Sequence, residues 1–186
     1  MDRTYLYVPP EERAAVSSAG AHWDDRLKCW YIEPGDDPAR FAQWLGIDHE
    51  VELSIISDHA HVAAATVPCC GCARPIEVIC IYCETGTVSG EPLTQFTVTD
   101  IQAVDGSLAK QLSSWPAFRP IDPGPDGTRF FVNHCPHCGA EQDDRDLHTE
   151  PGEPFFDIPH SAPDAIRLTP LVGEVRLSGD EHFTIE

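Results

Sequence analysis

Apolar and polar positions alternate along this chain in short bursts, and proline or glycine closes most of them. Tyr5, Leu6, Tyr7 and Val8 make a brief extended run over residues 3–8, ended by Pro9-Pro10. Glu11 to Ala19 then reads as a short helix. Pro10 stands at its start, Glu11 and Glu12 occupy its first turn, and Gly20 stops it. Trp30-Tyr31-Ile32 is a second strand, closed by Pro34-Gly35. Pro38 to Leu45 reads as a second helix with Phe41, Trp44 and Leu45 on one side, ended by Gly46. Trp23, Trp30 and Trp44 are expected to form the core of this unit, which is too small to do without large aromatics. A surface on which bases stack is the alternative use of such rings.

Further on, Val51, Leu53 and Ile55 alternate, and residues 76–81 and 129–132 are rich in β-forming side chains. The stretch between, about 84–128, reads as an insertion. It holds a strand over Phe96 to Val98 and a helix marked by Ile101, Val104, Leu108 and Leu112. A Pro/Gly/Asp turn over 120–128 follows. Ile166 to Ile185 shows strand-like alternation. The pattern predicts an α+β protein: a small aromatic-cored N-terminal module (1–46), a connecting segment (47–65), a split zinc ribbon with an insertion (66–157), and a C-terminal strand-like extension (158–186).

Cysteine spacing supplies the candidate chemistry. Cys135-Pro136-His137-Cys138-Gly139 has the form of a zinc knuckle. Its two-residue gap lets one tight turn aim both sulfurs at a single ion, and Gly139 supplies the permissive backbone after the second ligand. Cys69-Cys70-Gly71-Cys72 has the same gap and follows Pro68. Cys69, Cys72, Cys135 and Cys138 are therefore expected to hold one structural zinc ion. Cys80 and Cys83 form a third pair of equal spacing, but Cys80 lies in the apolar run Val78-Ile79-Cys80-Ile81, where a thiol packs as a small hydrophobe. Cys70 could replace a neighbour as ligand, and Cys29 reads as core. His134 and His137 flank the second knuckle, so a Cys/His dyad is conceivable. Four cysteines already fill a zinc shell, however, and a closed site leaves no place for substrate. No catalytic residue is expected.

Two stretches resemble known modules. Tyr5-Leu6-x-Val8-Pro9, Gly20-Ala21-x-Trp23-Asp24, Lys28-x-Trp30-Tyr31-Ile32, Pro34-Gly35 and Phe41-x-x-Trp44-Leu45 resemble a small domain of unknown function. That domain is found appended to plasmid-type DNA primases and in many uncharacterised bacterial proteins. The chain departs from it at Tyr7, where Asn is usual, at Cys29, and at His22, where Lys or Arg is usual; the last change weakens any nucleic-acid role the resemblance implies. Asn133-His-Cys-Pro-His-Cys-Gly-Ala140, Gln142-x-Asp144, Leu147-His148, Glu150-Pro-Gly152 and Phe155-Phe156 resemble a bacterial zinc-ribbon module of unknown function, which implies no activity.

Charge narrows the partners. The chain carries 12 Lys/Arg against 31 Asp/Glu, a formal net of -19. Residues 1–46 account for 5 and 8 of these, and residues 47–186 for 7 and 23. A surface this acidic repels phosphates and suits a basic protein partner. The stretch 141–157 is densest in carboxylate, and Asp143, Asp144, Asp146, Phe155 and Phe156 are the candidate partner-binding residues. The function this predicts is non-enzymatic protein–protein binding, as an immunity or inhibitor protein for a basic bacterial toxin. The alternative is an accessory factor in DNA or RNA metabolism. With no apolar run near 18 residues and no secretory pattern at Met1 to Arg13, a cytoplasmic location is expected, with the 8 cysteines reduced or metal-bound.

Overall fold

The computed structural model describes residues 3–6, 8, 12–25, 29–37, 40–41, 44, 52–121, 130–158 and 165–182. Several of the elements read from sequence fall partly outside these residues: the 3–8 strand at Tyr7, the 11–19 helix at Glu11, the 51–55 alternation at Val51, the 38–45 helix, of which Arg40, Phe41 and Trp44 are seen in helical turns, most of the 120–128 turn, the 129–132 segment at Arg129, and the end of the last strand.

The N-terminal unit comprises β1 (Thr4–Leu6), α1 (Arg13–Ala19), β2 (His22–Asp24) and β3 (Cys29–Ile32). The strands form an antiparallel sheet in the order β1-β3-β2. Helix α1 ends where the sequence marks it. Gly20 takes a left-handed φ of 104° and its N–H bonds the Ser17 carbonyl, a backbone turn that costs glycine little. Leu6, Val16, Ala21, Ile32, Phe41 and Trp44 are buried together. Trp44 also donates its indole N–H to the Glu12 carboxylate, giving the buried ring's polar atom a partner. The three tryptophans do not share one fate. Trp30 is only partly buried, and Trp23, on edge strand β2, is 38% exposed and meets Trp30 edge-on with centroids 5.4 Å apart.

The chain continues through β4 (Ile55–Pro68), β5 (Pro75–Val88), β6 (Glu91–Val104), α2 (Gly106–Leu112), β7 (Phe118–Pro120), β8 (Phe131–His134), β9 (Glu141–Gln142), α3 (Arg145–His148), β10 (Arg167–Pro170) and β11 (Val175–His182). Strands β4, β5 and β6 form a meander. The β5–β6 turn is Ser89-Gly90 with φ of 51° and 87°, the doubly left-handed turn whose twist matches that of the strands it joins. Strands β10 and β11 lie end to end along the free edge of β4, with Arg167 opposite Ala64 and Val175 opposite Ser57. Strand β11 then pairs with β6, from Leu177 opposite Val104 to His182 opposite Thr97. The order β4-β5-β6-β11-β4 is thus a closed, barrel-like ring of four strands, which removes most open edges. Its closure requires close approach. A Cβ on Gly179 would lie 2.7 Å from the Thr99 carbonyl, beside a bulge in β6 where Asp100 has φ of 48°.

Strands β4 and β5 are buried on both faces, as their unbroken apolar runs require. Val62, Ala64, Ile79, Ile81 and Cys83 face the barrel interior with Phe96, Leu108 and Leu177. Ala63, Ala65, Val78, Cys80 and Tyr82 face the other way, against Leu147, Phe155 and Ile158. The small antiparallel sheet β7-β8-β9 reaches both: Phe118 and Phe131 join the interior cluster, and Cys135, just past β8, joins the outer one.

The expected α+β class, with a split zinc ribbon carrying an insertion, is therefore overturned. Among the described residues the chain is mostly β, with three short helices, and its centre is the barrel-like sheet. The stretch 84–128 is not an insertion; it supplies the end of β5, all of β6 and α2, and so one whole stave of the ring. The misreading has a local cause. The bulge at Asp100 breaks the period-two alternation of β6, so Ile101, Val104, Leu108 and Leu112 fall at helical spacing although the first two are strand residues. Helix α2 begins only after Asp105, whose carboxylate accepts the Leu108 N–H at 2.7 Å as an N-cap.

Candidate metal centre

Two hairpin tips meet at one place. The β4–β5 turn carries Cys69 and Cys72, and the β8–β9 turn carries Cys135 and Cys138. The turns repeat the same hydrogen bonds. Cys69 N–H bonds the Arg74 carbonyl and Cys135 N–H the Ala140 carbonyl, both at 2.8 Å. Ala73 N–H returns to the Cys69 carbonyl at 2.8 Å, and Gly139 N–H to the Cys135 carbonyl at 2.9 Å. The amides of Gly71 and His137 approach the sulfurs of Cys69 and Cys135 at 3.3 and 3.4 Å. Gly139 has φ of 78° and its counterpart Ala73 has φ of 57°. Alanine accepts the left-handed position that the second turn gives to glycine, at a modest steric cost.

The four sulfurs all lie within 4.8 Å of one another. Cys69 to Cys138 and Cys72 to Cys135 are each 3.7 Å apart. Sulfurs about 2.3 Å from a tetrahedral ion stand roughly 3.8 Å from each other, whereas a disulfide spans only about 2.05 Å. The spacing fits metal coordination and not a covalent bond. Electrostatics agree. Burial opposes ionisation of Cys69, but the N–H groups of Cys72 and Gly71 and the adjoining thiols of Cys135 and Cys138 outweigh it and bring Cys69 down to about 6. At Cys138 the Ala140 N–H favours the thiolate, yet partial desolvation by its surroundings and the three neighbouring sulfurs push the group up to about 12, although the residue is exposed. One thiolate forms easily in this cluster and the last resists, a conflict that a bound cation removes.

Cys70, Cys80 and Cys83 stay out of the centre, and the side chain of Cys29, expected in the core, lies outside the described residues. Cys80 and Cys83 lie in a strand, where positions three apart face opposite sides; Cys80 joins the outer layer and Cys83 the barrel interior. Burial pushes both thiols up, Cys83 to about 11. Cys70 is exposed and its thiol approaches the Glu141 carbonyl at 3.2 Å. His134 directs Nδ1 to the Val132 carbonyl at 2.9 Å rather than to a sulfur; burial, aided by Arg119, lowers it to about 4, so it stays neutral at pH 7. Gly71 is there for space. A Cβ would stand 2.9 Å from the Ala140 Cβ and 3.4 Å from the Cys138 sulfur.

Two residues outside the cysteine pattern hold the turns together. Buried Gln142 accepts the Cys70 N–H at 3.0 Å, donates to the Ala140 carbonyl at 3.0 Å, and reaches the Cys69 sulfur at 3.7 Å. It joins both turns and supports a ligand sulfur. Gln142→Ala is expected to weaken metal affinity roughly 10- to 100-fold, the usual cost of losing a group that orients a ligand. Competition against a chelator of known affinity measures this; an unchanged affinity would make Gln142 a packing residue only. The second residue is Asn133, whose side-chain amide pairs with both backbone groups of Ile79 at 2.8 Å. Both residues occur in the motif around the second knuckle. Their signal was two uncharged amides at paired positions of one hairpin, Asn133 opposite Gln142.

The acidic stretch after the second knuckle is not uniform. Glu141, Asp143, Asp146 and Glu150 are exposed. Phe155 is fully buried against His148, and Phe156 is half-buried, with its ring 6.4 Å from that of His182. Asp144 is half-buried and accepts the N–H of Asp100, the bulge residue of β6, at 3.0 Å. Burial and the carboxylates of Asp100 and Asp143 push Asp144 up to about 7, against the pull of that N–H. Because its folded value is raised, its favourable contribution is complete below about pH 4 and is lost as pH rises toward 7. Asn at this position keeps an acceptor for Asp100 without the charge. Asp144→Asn is expected to gain on the order of 2 kcal/mol at pH 8, after allowance for partial solvation, and nothing at pH 4. Urea denaturation at both pH values checks this; an equal change at both would remove the charge explanation.

Comparison with known proteins bears on the first quarter of the chain. Residues 3–46 match a family described as a domain of unknown function (DUF5710). The chain is 46% identical over 43 residues to a DNA primase TraC of Escherichia coli, covering 23% of this chain and 4% of the primase. A second Escherichia coli DNA primase TraC is 44% identical over 43 residues, covering 23% and 3%. The N-terminal unit is thus similar to a small segment of DNA primases, and the chain spans only a few per cent of their length. No solved structure matches the chain. Among the described residues no helix is long and apolar enough to cross a membrane.

Proposed function

We propose that this chain is a non-enzymatic binding protein in which one structural zinc ion, held by Cys69, Cys72, Cys135 and Cys138, fixes an acidic face for a basic protein partner. The observation that carries this reading is the position of Glu141, Asp143, Asp146 and Glu150, exposed and starting three residues past the last metal ligand. Zinc rather than iron or copper suits a tetrahedral all-thiolate set that needs no redox change. A rigid anchor lowers the ordering cost of association, and a dense negative field speeds encounter with a cationic surface. An inhibitor or immunity role against a basic toxin is the specific form we favour. With Phe155 buried, the partner's apolar anchor must be found elsewhere than at that ring.

The test starts from a partner captured by pull-down. Reversing Asp143 and Asp146 to lysine, with Asp144 left intact, should slow association by at least about tenfold and flatten its salt dependence. Unchanged kinetics with the metal retained would remove this face from consideration. A second reading, accessory work in DNA or RNA metabolism, is favoured by the primase-like segment and by exposed Trp23 beside Trp30. It requires salt-sensitive binding of single-stranded DNA that Trp23→Ala weakens.

A further inference from the structure

The four metal-centre cysteines differ sharply in access. Cys69 and Cys135 are each 3% exposed and Cys72 is partly buried, whereas Cys138 is exposed. The sulfur at 3.7 Å from Cys138 is that of Cys69, on the other hairpin. We propose that Cys138 is an oxidation site, and that peroxide converts the metal centre to a Cys69–Cys138 disulfide with release of the metal. This rests on the metal reading given above.

The chemistry closes on residues already in place. A metal-bound thiolate keeps a lone pair, and accessibility decides which sulfur an oxidant reaches. Hydrogen peroxide, the oxidant, loses its O–O bond as one oxygen joins the Cys138 sulfur and hydroxide departs. The Cys69 thiolate then attacks that sulfur, the S–O bond breaks, and a second hydroxide leaves. Two thiolates have given up two electrons to form one disulfide, and one peroxide has become two hydroxides, which take up protons to give water. Only Cys72 and Cys135 remain as ligands, too few to retain the ion. The product differs from ordinary loss of metal. Cys69 and Cys138 belong to different hairpins, so the new bond replaces the metal link between them with a covalent one. The oxidised protein should keep its fold and return to the metal form with a thiol reductant and zinc.

The test uses the full chain, loaded with zinc and kept anaerobic, titrated with hydrogen peroxide. A coloured chelator reads the metal released, and peptide mass spectrometry maps the disulfide. One zinc released for each Cys69–Cys138 bond is expected, with reversal by reductant and zinc. Cys70→Ser, which removes the other exposed thiol near the centre, should release zinc at the same rate. Retention of zinc while Cys70 alone is oxidised would overturn the proposal, as would a first disulfide that leaves Cys138 out. A chain that takes up no zinc at all would overturn the metal reading and this proposal with it, which separates the two failures.

Discussion

Removing the metal should lower the unfolding midpoint by roughly 8–16 °C. An ion that binds only the folded chain adds about 4 kcal/mol at a thousandfold excess over its Kd, and 1 kcal/mol moves the midpoint about 2–4 °C in a chain of this length. A bound ion would have this leverage because it would tie positions far apart in sequence: the Cys69 sulfur stands 3.7 Å from that of Cys138, 69 residues on, and the Cys72 sulfur 3.7 Å from that of Cys135, 63 residues on. Closing such loops is costly without a strong contact at their ends. The loss should also be uneven. The ligand turns sit against the outer layer with Val78, Leu147, Phe155 and Ile158, while the barrel interior has its own core around Ile81, Phe96 and Leu177. Hydrogen exchange should therefore rise first in residues 135–158 and later in β6 and β11. Cys135→Ser should reproduce the effect of chelation. Equal midpoints with and without chelator, and no zinc by elemental analysis of reduced protein, would end the metal reading.

How much of this was legible in the sequence follows from how local each signal is. A C-x-x-C turn is self-contained, so both hairpin tips could be found by spacing alone, and the structure brings the four expected cysteines together. The same spacing in Cys80 and Cys83 had to be set aside, and the physical reason is strand alternation, which places them on opposite faces of β5. The barrel was not legible. Its closure depends on β11 crossing from β4 to β6, a pairing between residues about 80 apart, as in Asp180 and Thr99. No local pattern encodes that, and the bulge at Asp100 erased the alternation that would have exposed β6 as one long strand. The aromatic residues show the same limit. Composition could place Trp23, Trp30 and Trp44 in one small unit, but which ring is covered depends on strand order, and Trp23 falls on an edge.

Asn133→Ala should destabilise the protein by about 3–5 kcal/mol, because it strands two buried backbone groups at once. Strand β5 pairs with β4 along its whole length, but its pairing with β6 begins only at Ile81. The other edge of β5 at Ile79 is met by a side chain. The Asn133 amide oxygen accepts the Ile79 N–H and its NH2 donates to the Ile79 carbonyl, so one side chain completes the pairing a strand would have made. Asn133 is 2% exposed, which leaves water no route to replace it. The register explains why asparagine is required. Asn133 lies in β8 opposite Phe118 on one side and Gln142 on the other, so the residue that braces the barrel strand also starts the hairpin bearing Cys135 and Cys138. Aspartate sharpens the test. It keeps the acceptor for the Ile79 N–H but sets an oxygen against the Ile79 carbonyl, and burial raises its pKa. A raised acid loses its folded-state advantage as pH climbs, so Asn133→Asp should lose further stability between pH 5 and pH 8 while Asn133→Ala should show no such slope. Urea denaturation across that range, with exchange of the Ile79 amide followed in parallel, gives the result. An alanine variant within about 1 kcal/mol of the parent, with the Ile79 amide still protected, would mean that another group takes over this edge and that the two layers are joined chiefly by the metal.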